Sequence, residues 1–99
     1  MEKKYKLTDD IIQYYGRTLY RIEALRELIG VEIGQKGGFV ESEDNLSHEG
    51  NCWVCYNAMV FGNAVISEDA IVYDNAEVCG NAKVYGNARI TGSAFIYNA

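Results

Sequence analysis

The sequence predicts an all-β chain: short strands, one every six residues, wound into a prism behind a small β-rich N-terminal cap. Three observations carry this. From Asn51 the chain writes out in sixes as NCWVCY, NAMVFG, NAVISE, DAIVYD, NAEVCG, NAKVYG, NARITG and SAFIYN, followed by Ala99. The fourth position is Val or Ile in every unit: Val54, Val60, Ile66, Val72, Val78, Val84, Ile90 and Ile96. The second is Ala in all but the first unit, where Cys52 stands, and the first is always Asn, Asp or Ser. A fixed period of this kind marks stacked repeats, each burying its apolar side only against its neighbours.

Successive side chains of an extended segment point to opposite faces. Within NAxVxG the Ala and the Val stand two apart and share the interior; the third and fifth positions share the outside. The Gly-Asn step between units is turn chemistry, because glycine bears no Cβ penalty and Asn tolerates the left-handed region. A corner of one kind every six residues closes a prism rather than a stack of hairpins.

Ahead of the ladder, residues 1–44 read as a cap and connector and 45–99 as the repeat. Ile11 to Tyr15 and Thr18 to Leu25 suggest two strands around a turn at Gly16-Arg17. The stretch 19–29 also fits helical spacing through Ile22, Leu25 and Leu28 or Ile29; a strand through Leu25 is the preferred reading. Glycine density makes 30–38 a loop. NLSHEG, residues 45–50, keeps the repeat loosely, with Leu46 at the Ala position and His48 at the Val position. Counting it gives nine hexapeptides.

The totals narrow the function. Ninety-nine residues make one small domain, with no proline and three cysteines. An odd cysteine count argues against a disulfide framework and fits a reducing compartment. MEKKYKLTDD lacks the apolar run of a signal peptide, and no stretch approaches a membrane span, so a soluble cytoplasmic protein is expected. The net charge is −5, without the basic stripe that nucleic-acid backbone binding requires.

NAxVxG repeats of this quality resemble the hexapeptide-repeat family, which folds as a left-handed parallel β-helix with three hexapeptides per triangular coil. The resemblance covers 51–98 well and 45–50 weakly, and implies about three coils. It departs in placing Phe61, Tyr73, Tyr85 and Tyr97 directly after the aliphatic position, where the family often has a small residue. GGFVESEDNLSHEGNCWV, preceded by TLYRIEAL, is similar to the YdcK-like proteins of bacteria and their phages, named as transferases by fold alone. That analogy supplies no mechanism.

Three hexapeptides per coil define outer columns. One face carries Trp53, Ile71 and Arg89 beside Cys55, Tyr73 and Thr91. A second carries Met59, Glu77 and Phe95 beside Phe61, Cys79 and Tyr97. The third carries Ser47, Val65 and Lys83 beside Glu49, Ser67 and Tyr85. The second face has one charged residue among six and is the expected interaction surface, with Trp53 and Tyr73 as further contacts. The last coil ends without a covering segment in the sequence, and open solenoid ends promote association.

Chemistry is sparse. Cys52 and Cys55 form a C-x-x-C, yet residues three apart on a strand face opposite ways and cannot share a metal. His48 is the sole histidine, and the acyltransferases of the resembled family use one histidine as general base with acetyl-CoA as donor. The acidic run Glu41, Glu43, Asp44 and Glu49 lacks the spacing of a calcium loop. The expected function is a non-enzymatic, cofactor-free module that binds protein or self-assembles, with a phage-associated inhibitor of a host enzyme or defence complex as one form. A trimeric acyltransferase using His48 is the alternative.

Overall fold

A computed structural model describes residues 3–99. The described residues form eleven strands: β1 (Tyr5–Tyr14), β2 (Arg17–Ala24), β3 (Lys36–Val40), β4 (Trp53–Val54), β5 (Met59–Val60), β6 (Val65–Ile66), β7 (Ile71–Val72), β8 (Glu77–Gly80), β9 (Lys83–Val84), β10 (Arg89–Ile90) and β11 (Phe95–Asn98). One 3-10 turn at Glu43–Asn45 is capped by Ser42. Strands from β3 onward stack in parallel as a β-solenoid of about three turns.

The cap is a hairpin. Tyr15 (φ 51°) and Gly16 (φ 74°) make the two-residue turn, both in the left-handed region that matches the strand twist. Strand β2 ends at Ala24, so the stretch 19–29 begins as strand and no helix forms there. Strand β1 starts at Tyr5, well before the apolar run at Ile11. The polar Thr8-Asp9-Asp10 segment disguises it, and the pairing with β2 shifts register between Leu7 and Ile11.

Two corrections concern where the solenoid begins. Glycine density marks 30–38 as loop, but Lys36–Val40 is a strand whose Gly37 and Gly38 are buried. A Cβ at Gly38 would sit 2.6 Å from the Ala58 carbonyl oxygen, so backbone crowding explains the glycine better than turn formation does. The second correction is register. Partners are 20 residues apart at Val40–Val60 and Leu46–Ile66, then 18 apart from Val54–Val72 onward. Two extra residues therefore lie between Leu46 and Trp53. Leu46, fully buried, fills the Val position, and His48 moves out to a corner. The ladder starts at Gly37, not at Asn45.

The interior follows the predicted pattern. Ala58, Ala64, Ala70 and Ala76 and the aliphatics Val54, Val60, Ile66, Val72 and Val78 are 0 % exposed. The interior columns stack alanine on alanine and branched aliphatic on branched aliphatic at strand spacing, which removes apolar area from water without polar atoms to satisfy. At the last coil the same positions, Ala88, Ile90, Ala94 and Ile96, are only half-buried.

The N-terminal end is plugged. Tyr5 donates its hydroxyl to the Leu46 carbonyl at 2.5 Å and stacks on His48 with ring centres 4.2 Å apart. Lys4, fully buried, donates its ammonium to the Cys52 carbonyl at 2.7 Å, and burial pushes that ammonium below the usual lysine range. Glu43 ties this plug to the surface, accepting from Lys3 at 3.0 Å and contacting His48 Nε2 at 2.8 Å. Those hydrogen bonds hold its carboxyl below the usual 4.5. A carboxyl with a lowered folded pKa contributes stability that is complete above its unfolded value and lost as pH falls through the folded one. Acidification below about pH 4.5 should therefore loosen the cap. Trp53, the sole tryptophan, packs edge-on to Tyr5 and reports this by fluorescence. Glu43→Gln should flatten the acid dependence; an unchanged acid profile in that variant would remove Glu43 from the account.

Candidate functional site

The six-stranded sheet, in the order β1-β2-β3-β5-β8-β11, joins the cap to one wall of the solenoid. Strands β1 and β8 are four steps apart in it, about 19 Å if the sheet were flat. Yet Tyr14 on β1 donates its hydroxyl to the Glu77 carboxylate on β8, and its ring meets that of Phe61, the residue after β5, with centres 5.7 Å apart. The sheet must curl so that the hairpin lies back over the wall. The hydrogen bond to Glu77 pushes the Tyr14 phenol well above its ordinary range. Arg17 at the hairpin tip adds a 2.8 Å ion pair to Glu41 and lies 5.8 Å over the Phe61 ring.

This curl redistributes the expected surface. Phe61 (7 % exposed) and Cys79 (6 %), expected on the open face, instead lie beneath the hairpin in a second small core with Leu19 and Phe39. Burial raises the Cys79 thiol pKa. Met59 and Glu77 are half-buried along the hairpin's edge. Phe95 and Tyr97 continue the same two columns onto the last coil, in register with Glu77 and Cys79. They are 61 % and 60 % exposed and stack with planes 4° apart. Of the second face, the aromatic pair on the last coil stays open.

Trp53 is also corrected. Alternation places it outside, but it is 1 % exposed in the main core cluster with Tyr5 and Val31, while Ile71 packs against that cluster. An outward position of the first coil becomes interior once the N-terminal strand covers it. Tyr73, on the same wall, is half-buried.

His48 offers no open nitrogen. Its Nδ1 accepts the Lys4 backbone N–H at 3.0 Å, so the proton sits on Nε2, which faces Glu43. A general base needs a lone pair directed at substrate, and this ring directs its own into the cap. Cys52 is buried inside; Cys55 is half-buried, with its thiol pushed up to about 11 by desolvation. Two members of the acidic run serve structure: Glu43 in the cap, and Glu41, which accepts the Gly62 N–H at 2.8 Å as well as Arg17.

Residues that the repeat pattern does not single out also line this wall. Between the hairpin edge and the solenoid lies a groove bordered by Asp10, Ile12, Tyr14, Arg21, Phe39, Asn57, Met59, Asn75 and Glu77. Arg21 spans it: Nε bonds Asp10 at 2.9 Å, Nη1 bonds the Gly37 carbonyl at 2.7 Å, and the guanidinium covers the Phe39 ring at 4.3 Å. The sequence signal for these residues is weak, since Asn57 and Asn75 belong to the corner pattern and Ile12 and Tyr14 to a separate hairpin. Among the described residues, no helix is long and apolar enough to cross a membrane.

The fold and this surface define a β-solenoid whose capping hairpin curls over one wall. No known family model matches the sequence, and no curated protein does either.

Proposed function

We propose that the chain is a non-enzymatic assembly module of the hexapeptide-repeat kind, in which the last coil docks against a second copy of itself. The observation that supports this is the contrast between the two ends. The first coil is plugged, whereas Ile90 and Ile96 are half-buried and Phe95 and Tyr97 lie open beside them. Strands β9, β10 and β11 are each paired on one side only. An unpaired edge over unfinished apolar packing is a template for another strand edge.

Charge favours a second copy as the occupant. The chain carries −5 overall, but Arg89 is the sole charged side chain from Asn87 to Ala99. Two copies meeting there about a two-fold axis bring no Asp or Glu side chain of this stretch together, and an isologous contact closes after one pair.

Light scattering on the purified protein tests this. A dimer is expected at micromolar concentration, shifting to monomer in Phe95→Asp and Tyr97→Asp with melting curves close to the parent. A strict monomer in the unsubstituted chain, or a dimer indifferent to both substitutions, overturns the reading. In the same preparation acetyl-CoA should show no saturable binding; saturable binding abolished by His48→Ala would favour the acyltransferase instead.

A further inference from the structure

The curled sheet does not close, and the groove it leaves has a volume of about 600 Å³. That lies within the roughly 300–1,000 Å³ of typical small-molecule sites. It is different in kind from the apolar end of the solenoid. The floor is Ile12 and Met59, with the Arg21 guanidinium laid over Phe39. The rim is polar: Asp10, Asn57, Asn75 and Glu77.

The charges in this groove are already partnered, and each keeps spare capacity. Asp10 Oδ2 holds Arg21 Nε, leaving Oδ1; Glu77 Oε1 holds the Tyr14 hydroxyl, leaving Oε2. Arg21 uses Nε and Nη1 on the protein, leaving Nη2. Asn57 and Asn75 occupy the same corner on successive coils, both exposed, and the Asn57 backbone N–H donates to the Asp74 backbone carbonyl beside that corner. Their side-chain amides have no hydrogen-bond partner among the described residues, and each offers a donor and an acceptor.

An anion entering here would meet two carboxylates for one guanidinium. A cation would find Asp10 already ion-paired with Arg21 and Glu77 alone left without a counter-charge. Neighbouring donors and acceptors above an apolar floor suit groups that donate and accept at once, which is the property of hydroxyls. We propose that the groove binds a neutral, hydroxyl-rich small molecule, a mono- or disaccharide. Its hydroxyls bridge Asn57, Asn75 and the free oxygen of Glu77, and its C–H face rests on Met59 and Ile12. This site does not depend on the last coil, so it stands or falls separately from self-association.

The test is a nuclear magnetic resonance titration of isotopically labelled protein with glucose, galactose, N-acetylglucosamine and maltose, extended by a glycan array. Expected are saturable shifts confined to the groove, including the Asn57 and Asn75 side-chain amides. Asn57→Ala and Asn75→Ala should each weaken binding by about tenfold, the scale of one lost hydrogen bond. Both positions are exposed, so melting curves should match the parent. Phe95→Asp should bind as the parent does. The proposal is overturned if no neutral sugar binds saturably, if both Asn variants bind undiminished, or if arginine or inorganic phosphate produces the groove shifts instead.

Discussion

Val72→Asp should leave the chain without a cooperative thermal transition. Val72 is 0 % exposed and sits mid-column, paired with Val54 on one side and Ile90 on the other. Its column neighbours Val54 and Ile90 and the flanking Ala70 and Ala76 are apolar and offer a carboxylate no donor. An unpaired buried charge costs several kcal/mol even after relaxation, against a total stability of about 5–15 kcal/mol for a domain this size. Val72→Ala sets the scale for lost packing alone, at about 2 kcal/mol. Circular dichroism melts of the three proteins separate the terms. A Val72→Asp curve like that of Val72→Ala would mean that position four does not face the interior, and the prism would be wrong at its most regular point.

The regular part of this fold was legible because two local rules act together. Period-two alternation sets which side chains face in, and the Gly-Asn corner sets how often the wall turns. Neither rule reaches outside the ladder. Trp53, Phe61 and Cys79 occupy outward positions as alternation demands, but whether an outward residue meets solvent depends on what distant segment lies over it. Here the coverings are Tyr5 and the hairpin bearing Tyr14, 48 and 47 residues earlier in the chain for Trp53 and Phe61 respectively. The register error at His48 has a different cause. Two extra residues between Leu46 and Trp53 displace the first coil, and an insertion breaks the period without announcing which side of it is in phase. Val40 and Leu46 stand six apart and carry that information. GGFV hides it, because its glycine replaces the expected Ala.

That glycine makes a prediction that runs against the repeat. Phe39 pairs with Met59, so Gly38 stands level with Ala58, in a column that continues with Ala76 and Ala94. Judged by the repeat alone, Gly38→Ala should stabilise by about 0.4–1 kcal/mol through a less flexible unfolded chain. The structure demands the opposite. The new Cβ would lie 2.6 Å from the Ala58 carbonyl oxygen, 2.6 Å from Val54 Cγ1 and 3.3 Å from the Cys55 carbonyl oxygen. The Ala58 oxygen cannot retreat freely, because it accepts the Phe39 N–H at 2.9 Å and so holds the first coil to the second. Overpacking against backbone should cost about 3 kcal/mol and lower the melting temperature by more than about 10 °C. Gly86→Ala is the contrast: nothing lies within 4 Å of its Cβ, and the penalty is the left-handed backbone (φ 67°) alone, about 1 kcal/mol. If Gly38→Ala proves as mild as Gly86→Ala, β3 is not wound into the first coil, the hairpin loses its anchor on the wall, and the groove beneath it loses its floor.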